Sequence, residues 1–213
     1  MEVRSTRRRA CALAFTTLIG SVPWTGASAA LLARFDFEDP SGAFSLAPED
    51  VATGLQVDAW EDTDGTLRSV SRTPGFAMSA RSFHDGNTLR LTLTPAAGFA
   101  LTLDTLEFMQ SATATGPATW EMKAGDAVLA TGATTSTYTS SLIALELPDR
   151  TGPVELLLAA TGASSSLGTW RLDDFTLHGR VAAISAVPAP AAGWLFGAGL
   201  FALARRRRRA GPG

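Results

Sequence analysis

Between Thr88 and Thr94 the chain reads Thr-Leu-Arg-Leu-Thr-Leu-Thr. Strict period two puts Leu89, Leu91 and Leu93 on one face and the polar residues on the other, which a helix of 3.6 residues per turn cannot do. The same rule recurs along the chain. Phe35 and Phe37 share a face near the start, and Leu101 and Leu103, followed by Leu106 and Phe108, mark a strand over Phe99–Met109. Trp120 and Met122 alternate within Thr119–Lys123, Leu145 and Leu147 within Ser140–Leu147, and Trp170, Leu172, Phe175 and Leu177 within Gly168–Val181. Val154–Ala159 is almost continuously apolar, as a central strand would be. Pro95-Ala-Ala-Gly98 and Gly125-Asp126 are turn signals between these runs. No segment from Leu31 to Ala186 sustains a capped helical period. The expected fold is all-β, an antiparallel β-sandwich.

The two ends obey different rules. At the N-terminus, Arg4, Arg7, Arg8 and Arg9 precede the apolar Ala10–Ile19, and Ala27-Ser28-Ala29 forms a small-residue cleavage site with cutting before Ala30. This is the three-part order of a secretory signal peptide. At the C-terminus, Val187-Pro188-Ala189-Pro190 disfavours helix before Ala191. An uncharged run with Trp194, Leu195, Phe196, Leu200, Phe201 and Leu203 follows, then Arg205, Arg206, Arg207, Arg208 and Arg209. As a helix, Val187–Ala204 reaches about 27 Å, just short of a hydrocarbon core of about 30 Å. The arginines then stay cytoplasmic and the domain lies outside. A basic nucleic-acid patch is the alternative, but phosphate binding does not require an apolar run beside the arginines. The expected division is a signal peptide at 1–29, a β-sandwich ectodomain at 30–181, a linker with the Pro motif at 182–190, a single transmembrane helix at 191–204 and a basic cytoplasmic tail at 205–213.

The C-terminal 27 of the 213 residues resemble the PEP-CTERM sorting signal of Gram-negative bacteria, with Pro188-Ala189-Pro190 where that signal has Pro-Glu-Pro. The resemblance implies recognition of the Pro motif by an exosortase, transient residence in the inner membrane with a periplasmic domain, removal of the tail, and delivery to the cell surface or an exopolysaccharide matrix. The opening Phe35, Phe37 and Glu38 and the closing Thr169–Gly179 segment also resemble jelly-roll domains found upstream of such tails. That likeness implies a galactose-binding-like or carbohydrate-binding-like sandwich.

Between Leu31 and Ala186 the chain carries nine basic and nineteen acidic residues, a net charge of −10. Such a domain disfavours nucleic acid and anionic lipid as partners. Its only cysteine, Cys11, lies in the leader, so the domain folds without a disulfide. About 150 residues can bury an adequate core unaided.

Candidate sites are sparse. If the first and last strands pair, Asp36 and Glu38 meet Asp173 and Asp174, and grouped carboxylates are the ligand chemistry of structural Ca²⁺. The competing reading is two solvated strand faces. Asp58, Glu61, Asp62 and Asp64 before Gly65 loosely resemble a calcium loop but lack its spacing. His84 and His178 are the only histidines, and neither has the companions of a zinc set or a nucleophile elbow. No catalytic residue is assigned. Trp60, beside Glu61-Asp62, and Phe83, beside His84, are the candidate exposed aromatics for stacking on a sugar ring, whereas Trp120 and Trp170 fall at core positions. Two functions follow as expectations: a non-enzymatic structural or adhesive protein of the surface or exopolysaccharide matrix, or a carbohydrate-binding module stabilised by calcium. An exposed aromatic platform would favour binding, and paired carboxylates in a cleft would favour hydrolysis.

Overall fold

In the computed structural model of the chain, residues 29–184 are described. The leader, including Ala27, and everything from residue 185 onward (the Pro motif, apolar run and arginines) lie outside the described residues. The strands are β1 (Ala30–Phe35), β2 (Asp50–Val51), β3 (Leu55–Val57), β4 (Glu61–Asp62), β5 (Arg68–Ser71), β6 (Phe76–Ala80), β7 (Thr88–Pro95), β8 (Phe99–Ala112), β9 (Thr119–Ala124), β10 (Ala127–Ala133), β11 (Thr139–Arg150), β12 (Val154–Thr161) and β13 (Trp170–Ala183). The only helical piece among them is a 3-10 turn over Phe83–Asp85, so no described helix is long and apolar enough to cross a membrane.

All pairings are antiparallel, and they build two sheets. The first runs β11-β8-β13-β1-β2, with β6 and β5 continuing beside the N-terminal end of β13. The second runs β10-β9-β12-β7-β3, with β4 on the same edge of β7 as β3. The chain is thus an all-β, two-sheet antiparallel sandwich, and the alternating leucines point where period two sends them. Leu89, Leu91 and Leu93 of β7 are buried, as are Leu156 and Leu158 of β12, the central strand that the apolar run signals. Gly125-Asp126 forms the two-residue hairpin turn, with Gly125 at φ 59°. One boundary moves: Val181, Ala182 and Ala183 pair with Leu101, Ala100 and Phe99, so the start of the expected linker is the last stretch of β13.

Aromatic side chains fill the space between the sheets. Trp170 and Phe175 of β13 and Phe108 of β8 project from the first sheet, and Trp120 of β9 comes from the second. Trp120 stacks on Trp170 at 6.5 Å and meets Phe108 edge-on at 5.3 Å. On β10, Gly132 lies opposite Trp120, and a Cβ there would approach the indole to 2.7 Å.

Trp60 overturns its exposed assignment. It is 1% exposed and packs edge-on against Phe175 at 4.9 Å and Phe35 at 5.8 Å. Adjacent residues of an extended segment face opposite ways, so acidic neighbours at 61 and 62 say nothing about which way residue 60 points. Phe83 is likewise buried at 3%, edge-on to Trp170 at 5.7 Å. Trp60→Ala is therefore expected to cost about 3–5 kcal/mol in urea unfolding, where a surface aromatic would cost within about 0.5 kcal/mol.

Candidate functional site

β13 changes partner partway along its length. Trp170–Leu172 pair with Ala80–Met78 of β6, whereas Phe175–Gly179 pair with β1 from Phe35 to Ala30. Between these stretches Asp173-Asp174 forms a bulge against β8, with Asp174 at φ 48°. β1 has just ended, and Phe37 at φ 61° turns the chain outward. The result is a notch of about 250 Å³ lined by Arg34, Asp36, Glu38, Arg72, Asp173 and Asp174 together with Pro74 and Phe76.

The pairing of the first and last strands thus does bring Asp36, Glu38, Asp173 and Asp174 together. It also brings Arg72 among them from the turn between β5 and β6. The Arg72 guanidinium forms an ion pair with the Asp173 carboxylate, which is almost fully buried, and Nη1 lies 4.0 Å from Asp174 Oδ2. Its Nη2 donates to Met109 Sδ at 3.3 Å, and its Cζ sits 4.4 Å from the centroid of the Tyr138 ring. Three of the other carboxylate oxygens are also engaged. Asp36 Oδ1 accepts the Glu38 N–H at 3.0 Å, Asp173 Oδ1 accepts the Asp174 N–H at 2.9 Å, and Glu38 Oε1 accepts the Phe76 N–H at 3.0 Å. Gly75 makes room for that last contact: at φ 80°, any Cβ would overlap the Glu38 carboxylate.

Calcium needs six to eight oxygens free to converge on it. Here a monovalent cation built into the chain stands among the carboxylates and would repel a divalent one. Among the described residues no three acidic, His or Cys side chains are arranged to hold a metal ion. The residues present therefore do not fit the calcium ion that their sequence positions bring to mind. At the outer lip, Arg34 pairs with Glu49 at 3.4 Å. Desolvation, followed by the neighbouring Asp36 carboxylate, raises the pKa of Glu49 above the ordinary glutamate value.

The second acidic stretch closes a loop. Asp62 Oδ2 accepts from Thr66 N at 2.6 Å, Thr66 Oγ1 at 2.7 Å and Asn87 Nδ2 at 3.2 Å. The buried Asn87 also donates to Arg81 O at 2.6 Å and accepts from Thr63 Oγ1 at 2.9 Å. Burial pushes the Asp62 carboxyl up, but the hydrogen bonds from Thr66 and Asn87 outweigh it, and its pKa is lowered. His84 Nδ1 lies 3.0 Å from Ala163 O, tying the 3-10 turn to the loop before β13, and has no carboxylate partner there.

A second concavity lies over β9, β10 and β12. It is a trough of about 420 Å³ lined by Thr119, Glu121, Thr131, Ala159 and Thr161, with Trp120 and Gly132 between them. Thr119 and Thr161 share a hydrogen bond of 2.8 Å across it. Of the aromatics at these concavities Trp120 is buried and Phe76 half-buried, and elsewhere Phe44, Phe99 and Tyr138 are half-buried while the other described aromatics are buried.

No protein-family model matches the chain, and no curated protein matches it. Among solved structures it is similar to the cleaved K3 adhesin domain of Lys-gingipain from Porphyromonas gingivalis w83, at 14% identity, 70% coverage of this chain, 100% of that one and a TM-score of 0.43. It is similar to the carbohydrate-binding module CBM36 in complex with calcium and xylotriose, at 15% identity, 55% and 92% coverage and a TM-score of 0.39. A third likeness is to the CBM36-1 domain of a multidomain xylanase from the hindgut metagenome of Trinervitermes trinervoides, at 13% identity, 59% and 98% coverage and a TM-score of 0.40. Likenesses this distant extend to neither a ligand nor a site of this chain.

Three predictions follow from the notch and the Asp62 loop. Arg72→Ala leaves Asp173 buried and unpaired and is expected to cost about 3–5 kcal/mol, most of it recovered in Arg72→Met with Asp173→Leu. Millimolar calcium and EDTA are expected to give the same Tm for the unaltered chain, and a calcium-raised Tm would return the notch to the metal reading. Because the folded pKa of Asp62 is depressed, its stabilisation is present above the ordinary carboxylate range and is lost as pH falls through the folded value. Asp62→Asn should thus be about 1–2 kcal/mol less stable at neutral pH, with the gap to the parent closing in urea melts below about pH 4.

Proposed function

We propose that the protein is an exported, non-enzymatic component of the cell surface or exopolysaccharide matrix, sorted by its PEP-CTERM-like tail, with a sandwich that contributes structure or adhesion. One observation carries the choice of a structural role over sugar stacking or hydrolysis. The aromatic side chains that a stacking platform would need are spent inside: Trp60, Trp120 and Trp170 are all buried, and the grouped carboxylates surround Arg72. A hydrolase needs one carboxylate free to hold a proton and another free to attack or activate water, whereas Asp173 is tied to a guanidinium. The export reading rests on the order of motifs at the two ends, which is independent of the sandwich.

The threonine-lined trough favours a second reading, a carbohydrate-binding module that grips polysaccharide through hydroxyl hydrogen bonds. The two separate by co-sedimentation with exopolysaccharide from the producing cells: Thr131→Val with Thr161→Val abolishes retention if the trough binds glycan and leaves it unchanged if the domain is structural. Export and sorting are tested by intact mass of the protein from membrane and extracellular fractions. The expected result is an extracellular species lacking the leader and the region from about Val187 onward. Full-length tail retained in the inner membrane would overturn the sorting.

A further inference from the structure

The two flanks of the sandwich differ. On one, the sheets end in short strands carrying charge: Asp50 on β2, Arg68 on β5, Glu61 and Asp62 on β4. On the other they end in β10 and β11, and no residue from 127 to 145 is charged. From Thr139 to Ala144, β11 pairs with β8 residue by residue, opposite Gln110 to Thr105, without a bulge. Its other edge has no strand beside it among the described residues. Past Ala144 the register shifts twice, and Glu146, Pro148, Asp149 and Arg150 follow. Bulges, charges and proline are what keep an edge from pairing, so β11 is guarded in its second half and open in its first. Leu142, in the open half, is 73% exposed.

An open edge presents unpaired backbone N–H and C=O groups, and what satisfies them in register is another strand. We propose that the Thr139–Ala144 edge of β11 pairs antiparallel with the same segment of a second copy of this chain, joining the two first sheets across a two-fold axis. Self-pairing opposes no like charges: with Leu142 opposite its own copy, Ser141 meets Ile143 and Ser140 meets Ala144, all uncharged. Charge also selects the approach. Two domains of −10 each repel over most of their surfaces, and the uncharged β10 and first half of β11 are where they can come together. The inference uses the strand edge alone, so its failure leaves the export and sorting reading standing.

The test is site-directed cross-linking in the full chain, with Cys11→Ser to remove its single cysteine. Leu142→Cys places a thiol on the open edge, and Val51→Cys, 40% exposed on the opposite flank, is the comparison. Under mild oxidant, Leu142→Cys is expected to give a covalent species of twice the chain mass, at least about tenfold more than Val51→Cys, because pairing raises the local thiol concentration. Adding Ala144→Lys, at an exposed position, should abolish that species without lowering the amount of soluble chain. A monomeric Leu142→Cys, equal cross-linking from both cysteines, an adduct of another mass or a dimer that survives Ala144→Lys would each overturn the proposal.

Discussion

The domain depends on the contact between the two sheets made by Trp120 on one side and Trp170, Phe108 and Phe175 on the other. With no cysteine between Leu31 and Ala186, no covalent bond shares that task. Edge-on and offset ring pairs add about 0.5–1.5 kcal/mol each beyond the area they bury, and here they form one connected set reaching Phe35, Trp60 and Phe83. The polar features sit where this packing leaves room. Gln110 enters the core to accept from Trp170 Nε1 at 3.0 Å while donating to Ala133 O at 3.0 Å. Gly132 is a glycine because an indole lies over it. The function proposed for the domain is in large part a consequence: aromatics committed to holding two sheets together are not available to a ligand.

The notch shows the same economy in charge. A bulge in a central strand exposes backbone and turns one carboxylate inward, and the chain supplies the cation itself. Arg72 sits in a hairpin turn, yet it reaches β13, β8 and the loop before β11 at once through Asp173, Met109 and Tyr138. An arginine does this better than a lysine would, since its planar fork can donate in two directions while its face stacks on a ring.

The strands that alternate were legible: β7, the end of β11 and the body of β13 announce themselves by period two, and β12 by its apolar run. The spacing from Leu103 to Leu106 carries an irregularity too, since both are buried on a strand whose period would separate them by an even number. β5 and β6 were not legible, because Arg-Ser-Val-Ser and Phe-Ala-Met-Ser-Ala have no alternation to read. The meeting of Asp36 and Glu38 with Asp173 and Asp174 could be anticipated from strand pairing. Arg72 could not, because its ion-pair partners lie about a hundred residues away and the one local signal is a lone basic residue before a Thr-Pro-Gly turn. Trp60 and Phe83 were misplaced by their polar neighbours, a cue that fails because residues next to each other in sequence face different ways both in an extended segment, as at Trp60, and in a 3-10 turn, as at Phe83.

β13 has one further consequence. It is held by β8 on one side along nearly its whole length and by β6 and β1 on the other, and it is the last strand of the described residues. Tension along the axis of β13 loads its hydrogen bonds to both neighbours together rather than one after another.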